Sequence, residues 1–285
     1  MFTKEVCLYE YFQLPKDNGT SGKLTCWHAV TPISVSRKRQ RPAVLIFPGG
    51  GYDHISARES EPIALQFIAR GYAAFSLDYS VSPNRFPIPL REAAMAIRYI
   101  RENAACYEIN PNMVVAVGFS AGGHLCGMLG TMFDCPEVSD LGNPNQLRPD
   151  ALGLCYPVAI SWGRTHNGSF ENLSKGNEIL KNRLSLEKLV RSDMPPVFLW
   201  HTRNDPIVPC RNTLMLSVAL EEAGVPFALH IYRHGPHGLA TANELVYASW
   251  EIPEISWDIS GWLNALFCFL AEIGFRISDE ERNSE

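Results

Sequence analysis

The sequence predicts an α/β fold with a mostly parallel central sheet flanked by helices. Six apolar runs of strand length recur after residue 40, and segments with helical spacing alternate with them. Nearly continuous apolar runs are typical of strands buried on both faces of a parallel sheet, and the alternation predicts right-handed, doubly wound βαβ units. The length of 285 residues and the 46% hydrophobic content suit one domain over residues 1–285.

Two further strands are expected ahead of the parallel sheet. Segments 6–14 and 24–30 are predicted strands, and the turn signal KDNG (16–19) lies between them. Together they predict a β-hairpin at the start of the chain.

The parallel strands and their helices follow in order. Gly71 and Gly224 end two of the helices, and apolar residues recur at helical spacing from Leu90 to Ile100. The predicted strands are 43–47, 72–79, 113–119, 151–158, 196–202 and 227–234, and the predicted helices are 60–70, 90–100, 207–223 and 257–273. Because sites in such sheets collect at the carboxyl ends of the strands, the loops after these strands are the places to search.

One interval does not follow this alternation of strands and helices. Residues 159–194 are polar and contain the pattern of two short helices. We expect a small polar insertion that caps the site, and no separate domain.

Charge and composition exclude several function classes. The net charge of −5 does not favour binding of a polyanion. The basic cluster RKRQR (37–41) has no interleaved aromatic residues and is interpreted as a solvated loop, so no nucleic acid partner is predicted. The N-terminal segment has no apolar signal core, and the apolar stretch 262–273 is too short to span a bilayer, so no membrane partner is expected. The eight cysteines form no CxxC pair, which favours a reducing compartment. We therefore expect a cytoplasmic protein.

The motif GFSAG (118–122) directly follows a predicted strand and precedes a small-residue helix. That strand–turn–helix context is what the nucleophile elbow of the α/β-hydrolase fold requires, with glycines where a side chain would collide with the neighbouring strand and helix. Ser120 is therefore the predicted nucleophile. The alternative is a plain tight turn between strand and helix.

A serine nucleophile needs a base and an orienting carboxylate, which follow it in the order acid, then histidine, in this fold. Asp205 lies three residues past a late strand, and its alternative role is to cap the next helix, with Pro206 in the first turn. Asp193 is the rival, but it precedes its strand and so lies at the wrong end. His237 lies in the loop HGPHG (234–238) after the last strand and is the predicted base.

The other histidines have ordinary interpretations. His234 lies nearer the strand end, His230 lies within the strand, and His201 is a packed histidine on the strand before Asp205. Residues 230 and 234 are roughly 13 Å apart on an extended strand, too far to share one ion, so no metal is predicted. No cofactor is predicted either.

The glycine-rich segment PGGGY (48–52) follows the first parallel strand, where this fold builds half of its oxyanion hole. Backbone N–H groups of Gly50 and Gly51 are the expected donors, with the N–H of Ala121 completing the hole. The segment lacks the Lys-Ser/Thr of a phosphate-binding P-loop and the spacing of a dinucleotide fingerprint.

Together these motifs resemble the bacterial esterases related to acetyl xylan esterases, in the α/β-hydrolase superfamily and near the hormone-sensitive-lipase type. The resemblance covers about residues 40–240 and is carried by PGGGY, RESEPIALQFIARGYAAFSLDYSV, GFSAGGHL, HTRNDPIVP and HGPHG. Pro48 stands where lipases of the HGGG type have histidine. The resemblance implies a serine carboxylic-ester hydrolase whose partner is a small-molecule ester, an acetylated sugar or oligosaccharide.

Of four side chains near the expected site, three are candidates for contact with a sugar. Tyr52 and Trp162 are candidate platforms, although each is more often a core residue, and His166 is a candidate pocket residue. His124 is a packing residue in this interpretation. Two alternatives for the whole protein remain open. The first is a serine peptidase of the prolyl-oligopeptidase type, which usually carries a large propeller domain for which this length leaves no room. The second is a non-catalytic ligand-binding relative, which would lack a member of the triad.

Overall fold

A computed structural model describes residues 2–28, 39–247 and 258–279. The strands are β1 (Phe2–Cys7), β2 (Lys23–His28), β3 (Arg39–Phe47), β4 (Ala73–Asp78), β5 (Ile109–Phe119), β6 (Ala151–Cys155), β7 (Val197–Thr202), β8 (Phe227–Tyr232) and β9 (Ser278–Asp279). The helices are α1 (Leu8–Tyr11), α2 (Glu61–Ile68), α3 (Ile88–Glu102), α4 (Ala121–Met132), α5 (Pro144–Leu147), α6 (Asn167–Ser174), α7 (Glu178–Arg183), α8 (Leu186–Leu189), α9 (Arg211–Glu222) and α10 (Trp262–Glu272). Short 3-10 turns lie at Ala57–Glu59, Ala104–Tyr107 and Ile259–Gly261.

The strands form one sheet in the order β1-β2-β4-β3-β5-β6-β7-β8. From β4 to β8 every neighbouring pair is parallel, while β2 pairs antiparallel with both β1 and β4, and β9 adds a short antiparallel pairing at the start of β3. The predicted mostly parallel sheet is confirmed.

Apolar residues on the two faces of the sheet pack against different helices. In β3, Leu45 and Phe47 join a core that includes residues of α3, α4 and α9, whereas Val44 and Ile46 join a second core that includes α2 and α10. All four of these side chains are fully buried. Burial on both faces explains why the run AVLIF is continuously apolar instead of alternating.

The N-terminal hairpin pairs as expected, but its first strand is shorter than predicted. Phe2 pairs with His28 and Cys7 with Lys23, and the strand then ends. Residues 8–11 form α1, in which consecutive Leu8 and Tyr9 both pack into the same core, whereas consecutive side chains of a strand point to opposite faces of the sheet. The predicted extension to residue 14 is therefore wrong, and residues 29–30 of the second predicted strand lie outside the described residues.

Two predicted helices begin later than expected. The helix predicted from residue 207 begins at Arg211, and the N–H groups of Ile207 and Val208 in the loop ahead of it donate to the Asp205 carboxylate. The last helix, α10, begins at Trp262, and residue 257 of its prediction lies outside the described residues. Among the helices in the described ranges, none is both long and apolar enough to cross a bilayer.

The polar insertion has more helix than predicted. It contains α6, α7 and α8, three short helices instead of two. Phe170, Leu173 and Leu186 project from them into the core beside α4 and are almost fully buried. This burial fixes the insertion firmly over the carboxyl ends of the strands.

Candidate active site

Four loops meet at the carboxyl ends of the parallel strands. Ser120 follows β5, Asp205 follows β7 and His237 follows β8, while the glycine segment 49–51 follows β3. Parallel strands end at the same edge of a sheet, so residues far apart in sequence come together there. The structure thus assembles the predicted site residues in one place.

Ser120 lies at a sharp turn between β5 and α4. Its φ of 53° and ψ of −117° are unusual for a residue with a side chain, and its N–H donates to the Cys155 carbonyl at 3.0 Å. A Cβ on Gly118 would collide with the Gly122 carbonyl, and a Cβ on Gly122 would collide with the Phe47 carbonyl. The two glycines therefore allow β5, α4 and β3 to approach closely at this turn.

The side chains of Ser120, His237 and Asp205 form a continuous hydrogen-bonded chain. His237 Nε2 lies 2.8 Å from Ser120 Oγ, and His237 Nδ1 lies 2.6 Å from Asp205 Oδ2. An ionised carboxylate accepts only, so Nδ1 carries the ring proton and Nε2 is left to accept from the serine hydroxyl. This is the arrangement in which an imidazole can take the proton of a serine nucleophile.

Asp205 is a buried carboxylate with several donors. Oδ1 accepts from the N–H groups of Ile207 and Val208, both at 2.9 Å, and His201 Nε2 lies 3.3 Å from Oδ2. Burial alone would raise the pKa of Asp205, but the hydrogen bonds from His201 and His237 outweigh it and hold the pKa well below its usual range. Asp205 therefore remains ionised throughout the neutral range.

The rival residues lie elsewhere. Asp193 is exposed and forms an ion pair with Arg191 ahead of β7, at the opposite end of the strand from the site. His230 lies within β8 and packs against Phe198, and exposed His234 follows the end of that strand.

Two other histidines are buried and fully bonded. His201 Nδ1 lies 2.7 Å from Thr213 Oγ1, and its Nε2 lies 2.8 Å from the Val208 carbonyl. His201 therefore stabilises the loop that follows Asp205. His124 joins the Tyr52 hydroxyl at 2.9 Å to the Leu184 carbonyl at 2.8 Å. Both roles are structural, as the sequence suggested. In the described parts of the chain, no group of His, Cys, Asp and Glu side chains is arranged to hold a metal ion.

The glycine segment opens toward Ser120. Gly50 and Gly51 have φ values of 124° and 64°, which favour glycine, and a Cβ on Gly50 would strike the His54 carbonyl. Within the described residues, no protein acceptor is bonded to the N–H groups of Gly50, Gly51 or Ala121. The N–H of Gly49, by contrast, donates to the Glu59 carboxylate at 2.7 Å.

Sequence reasoning missed Glu59. It is 2% exposed, and its Oε1 accepts from the Tyr156 hydroxyl at 2.7 Å. Glu59 and Glu61 occur two residues apart in the RESEP run, and no spacing rule distinguishes the buried one from the exposed one. The only available signal is that an acidic residue soon follows the glycine segment.

Beside Ser120 lies a cavity of about 360 Å³ whose lining residues are mostly polar in type, although carbon atoms supply the larger share of its surface. In the described part of the chain, Ile207 is the only apolar side chain that lines it; the others with side chains are Asp53, His54, Ser56, Arg58, Glu59, Ser120, His166, Asn172 and His237. Sequence reasoning missed Arg58 and Asn172, and Asn172 also donates to the Gly51 carbonyl at 2.9 Å.

The candidate sugar contacts have different positions. Tyr52 is 1% exposed and cannot offer a ring face to a ligand. Trp162 is exposed, but its indole N–H bonds to Glu187, its ring lies under Arg211, and it does not line the cavity. His166 does line the cavity.

His166 is held in one orientation. Its Nδ1 accepts from the Ser169 N–H at 3.3 Å and lies 2.8 Å from Ser169 Oγ. Burial, and secondarily the nearby His237, lower the pKa of His166. The ring is therefore neutral at neutral pH, with the proton on Nε2, which leaves a donor available for the cavity.

Comparison with known proteins gives two family matches. The model of the prolyl oligopeptidase family matches residues 93–252, and the BD-FAE model matches residues 33–146.

The relatives include a xylanase and an acetylxylan esterase. Endo-1,4-beta-xylanase B of Butyrivibrio fibrisolvens is 36% identical over 77% of this chain, and an acetylxylan esterase of Xylanibacter ruminicola is 30% identical over 79%. The chain spans only 36% and 45% of the lengths of these two proteins. The crystal structure of an acetyl ester-xyloside bifunctional hydrolase from Caldicellulosiruptor lactoaceticus is 38% identical, with a TM-score of 0.76, and the match covers 89% of this chain and 88% of that one.

Proposed function

Because this chain belongs to the prolyl oligopeptidase family of α/β-hydrolases, we propose that it is a serine carboxylic-ester hydrolase that removes acetyl groups from sugars or xylo-oligosaccharides. The observation that carries the proposal is the bonded chain from Ser120 Oγ through His237 to Asp205, with distances of 2.8 and 2.6 Å. It opens on a cavity at the carboxyl ends of the strands.

In the first step, Ser120 Oγ attacks the ester carbonyl carbon while its proton passes to His237 Nε2. The imidazolium that forms is stabilised by Asp205, which remains ionised. His237 then gives the proton to the departing sugar oxygen, the carbon–oxygen bond of the ester breaks, and an acetyl group remains on Ser120. A water molecule, deprotonated in turn by His237, hydrolyses this acyl-enzyme.

The N–H groups of Gly50, Gly51 and Ala121 are proposed to bind the oxyanion of the tetrahedral intermediates. Each lies in a loop or helix start beside Ser120, and within the described residues none is bonded to another protein group. Donors arranged before the reaction stabilise the developing charge without reorganisation.

The polar side chains around the cavity favour a hydrophilic alcohol. Hydroxyl groups of a sugar can bond to side chains such as Asp53, His54 and Asn172, and among the described lining residues Ile207 is the only apolar side chain that a long acyl chain would meet. The similarity to an acetylxylan esterase and to an acetyl ester-xyloside hydrolase supports the same substrate class.

A second candidate is a serine peptidase, favoured by the match to the prolyl oligopeptidase family over residues 93–252. The triad and fold serve either reaction. A peptidase would hydrolyse Gly-Pro p-nitroanilide at a rate comparable to that of its best esters, and this substrate separates the two candidates.

The test measures kcat/KM for p-nitrophenyl acetate, butyrate and octanoate, together with acetate release from acetylated xylo-oligosaccharides. We expect kcat/KM to fall by about tenfold or more from acetate to butyrate and again to octanoate, because in the described lining only Ile207 offers an apolar side chain to the added methylenes. Ser120→Ala, as the control, should lose roughly 10³-fold or more of the turnover. Preference for octanoate, or for the anilide, would refute the substrate class.

The compartment is part of the same proposal. All eight cysteines are free thiols, and four of them are buried. Free thiols in this number favour a reducing compartment such as the cytoplasm.

A further inference from the structure

Glu59 is a buried carboxylate that lines the catalytic cavity but belongs to no part of the triad. It ends the 3-10 turn Ala57–Glu59, and both of its oxygens accept short hydrogen bonds. Oε2 accepts from the Gly49 N–H at 2.7 Å, and Oε1 accepts from the Tyr156 hydroxyl at 2.7 Å. Both partners act as donors, so a side chain with two acceptor oxygens matches this position.

The first bond fixes the loop that carries the proposed oxyanion donors. Gly49 directly precedes Gly50 and Gly51, and its N–H is turned toward Glu59. The preceding carbonyl, of Pro48, accepts from the Tyr79 hydroxyl at 2.7 Å. The loop is therefore held on both sides of the Pro48–Gly49 junction, immediately before the two glycines.

The second bond reaches the loop that carries the base. The Tyr156 hydroxyl accepts from the Ala240 N–H at 2.9 Å, three residues beyond His237. The Tyr156 ring also lies edge-on to the His237 imidazole, with centroids 5.2 Å apart. Tyr156 has a φ of 38°, an unusual value for a tyrosine, so its backbone is held by its surroundings.

We propose that Glu59 is a positioning residue that fixes the oxyanion loop and, through Tyr156, the His237 loop relative to each other. The inference deepens the proposed function, since it assigns a residue to the same site. The chain Gly49–Glu59–Tyr156–Ala240 joins segments that follow β3, β6 and β8, which share no direct strand pairing with one another. Loss of Glu59 leaves the triad residues in place but frees the donors to move relative to Ser120.

The main test compares Glu59→Ala with Glu59→Gln. In the Ala variant, we expect kcat for p-nitrophenyl acetate to fall by about 10²-fold, the size of effect that follows loss of an oxyanion donor, with KM changed by less than about threefold. The Gln variant should retain activity within about tenfold of wild type, because its amide oxygen can still accept from the Gly49 N–H and only the acceptor of the Tyr156 hydroxyl is lost.

A second readout separates positioning from simple destabilisation. A trifluoromethyl ketone adds to Ser120 to form a tetrahedral adduct, so its affinity should fall by the same factor as kcat in each variant. Active-site titration corrects every rate for the fraction of folded enzyme. Glu61→Gln, at an exposed glutamate two residues away, is the matched control and should behave as wild type.

Tyr156→Phe isolates the second bond. It keeps the bond from Gly49 to Glu59 and removes the link to Ala240, so we expect a loss of about tenfold in kcat, smaller than that of Glu59→Ala. Unchanged ketone affinity in folded Glu59→Ala enzyme, or a Glu59→Gln variant as impaired as Glu59→Ala, would overturn the inference.

The rate at which a fluorophosphonate labels Ser120 distinguishes a failure of the proposed substrate from a failure of the positioning role of Glu59. Labelling needs the triad and the oxyanion donors but no ester substrate. Wild-type enzyme that is labelled yet hydrolyses no acetyl ester would refute the proposed substrate, whereas wild-type labelling rates in Glu59→Ala would refute the positioning role.

Discussion

At the scale of single residues, the site depends on a buried negative charge. Asp205 has its carboxylate shielded from water, and donors from two sides compensate for the loss of hydration. The same carboxylate fixes the proton of His237 on Nδ1. One side chain thus determines both the buried charge of the site and the tautomer of His237, the proposed base.

Asp205→Asn should therefore separate folding from catalysis. The amide oxygen can still accept from Ile207 and Val208, but the amide nitrogen would face His237 Nδ1 and favour the tautomer with the proton on Nε2. We expect kcat/KM for p-nitrophenyl acetate to fall by up to about 10⁴-fold while the melting temperature changes little.

Asp193→Asn is the matched control for that substitution. This exposed residue pairs with Arg191 at the far end of β7, and its variant should retain wild-type kinetics. The assignment of the acid would move if Asp193→Asn were the impaired variant.

Sequence could predict that Ser120, Asp205 and His237 lie together, because each follows a strand in an order that the fold imposes. Ser120 has its motif, and Asp205 and His237 follow from topology once Ser120 is placed. Glu59 and Asn172 could not be found that way, since their positions depend on which side of a short helix faces the site. That choice is made by packing around Gly49 and Gly51, which no local spacing encodes.

At the scale of elements, the contact between β5, α4 and β3 governs the turn at Ser120. Apolar periodicity predicted these elements well, because buried strands and helices have distinct patterns. It failed at α1, where consecutive Leu8 and Tyr9 pack into the same core, and at the start of α9, where a loop bonded to Asp205 precedes the first helical turn.

Gly122→Ala tests this close contact. The added Cβ would meet the backbone carbonyls of Phe47 and Pro48, which cannot rotate away as a side chain would. We expect a loss of about 1–3 kcal/mol in the free energy of unfolding, measured with urea, and a lower kcat as Ser120 is displaced.

Gly261→Ala provides the comparison for that measurement. Gly261 has a negative φ and open space at the Cβ position, so its alanine variant should be neutral or more stable by about 0.4–1 kcal/mol. Equal losses in the two glycine variants would show that crowding at α4 is not the cause.

At the scale of the whole molecule, burial determines how the protein responds to acid. Burial is the main cause that lowers the pKa of four histidines, His28, His124, His166 and His230. Each is disfavoured as a cation in the folded state. The unfolded chain therefore binds more protons below about pH 6.5, and these histidines reduce stability as the pH falls.

His124 gives the largest measurable part of this effect. Burial lowers its pKa to about 4, so its contribution changes between about pH 6.5 and 4 and amounts to roughly 3 kcal/mol. The free energy of unfolding of wild type should fall more steeply with acidification across this window than that of His124→Gln, which cannot be protonated. Parallel curves for the two proteins would contradict the prediction.

The insertion between β6 and β7 is bonded to two other parts of the site. Asn172 holds the Gly51 carbonyl, and Leu184 accepts from His124 in the helix that begins beside Ser120. A segment whose His166 and Asn172 line the cavity is thereby tied to the groups that are proposed to act on the acyl carbon. For protein engineering, this means that the insertion cannot be exchanged independently of the rest of the site. Grafting an insertion from a relative with another specificity would alter turnover along with substrate choice. Libraries that vary residues 159–190 should therefore keep Asn172 and the backbone conformation at Leu184 unchanged.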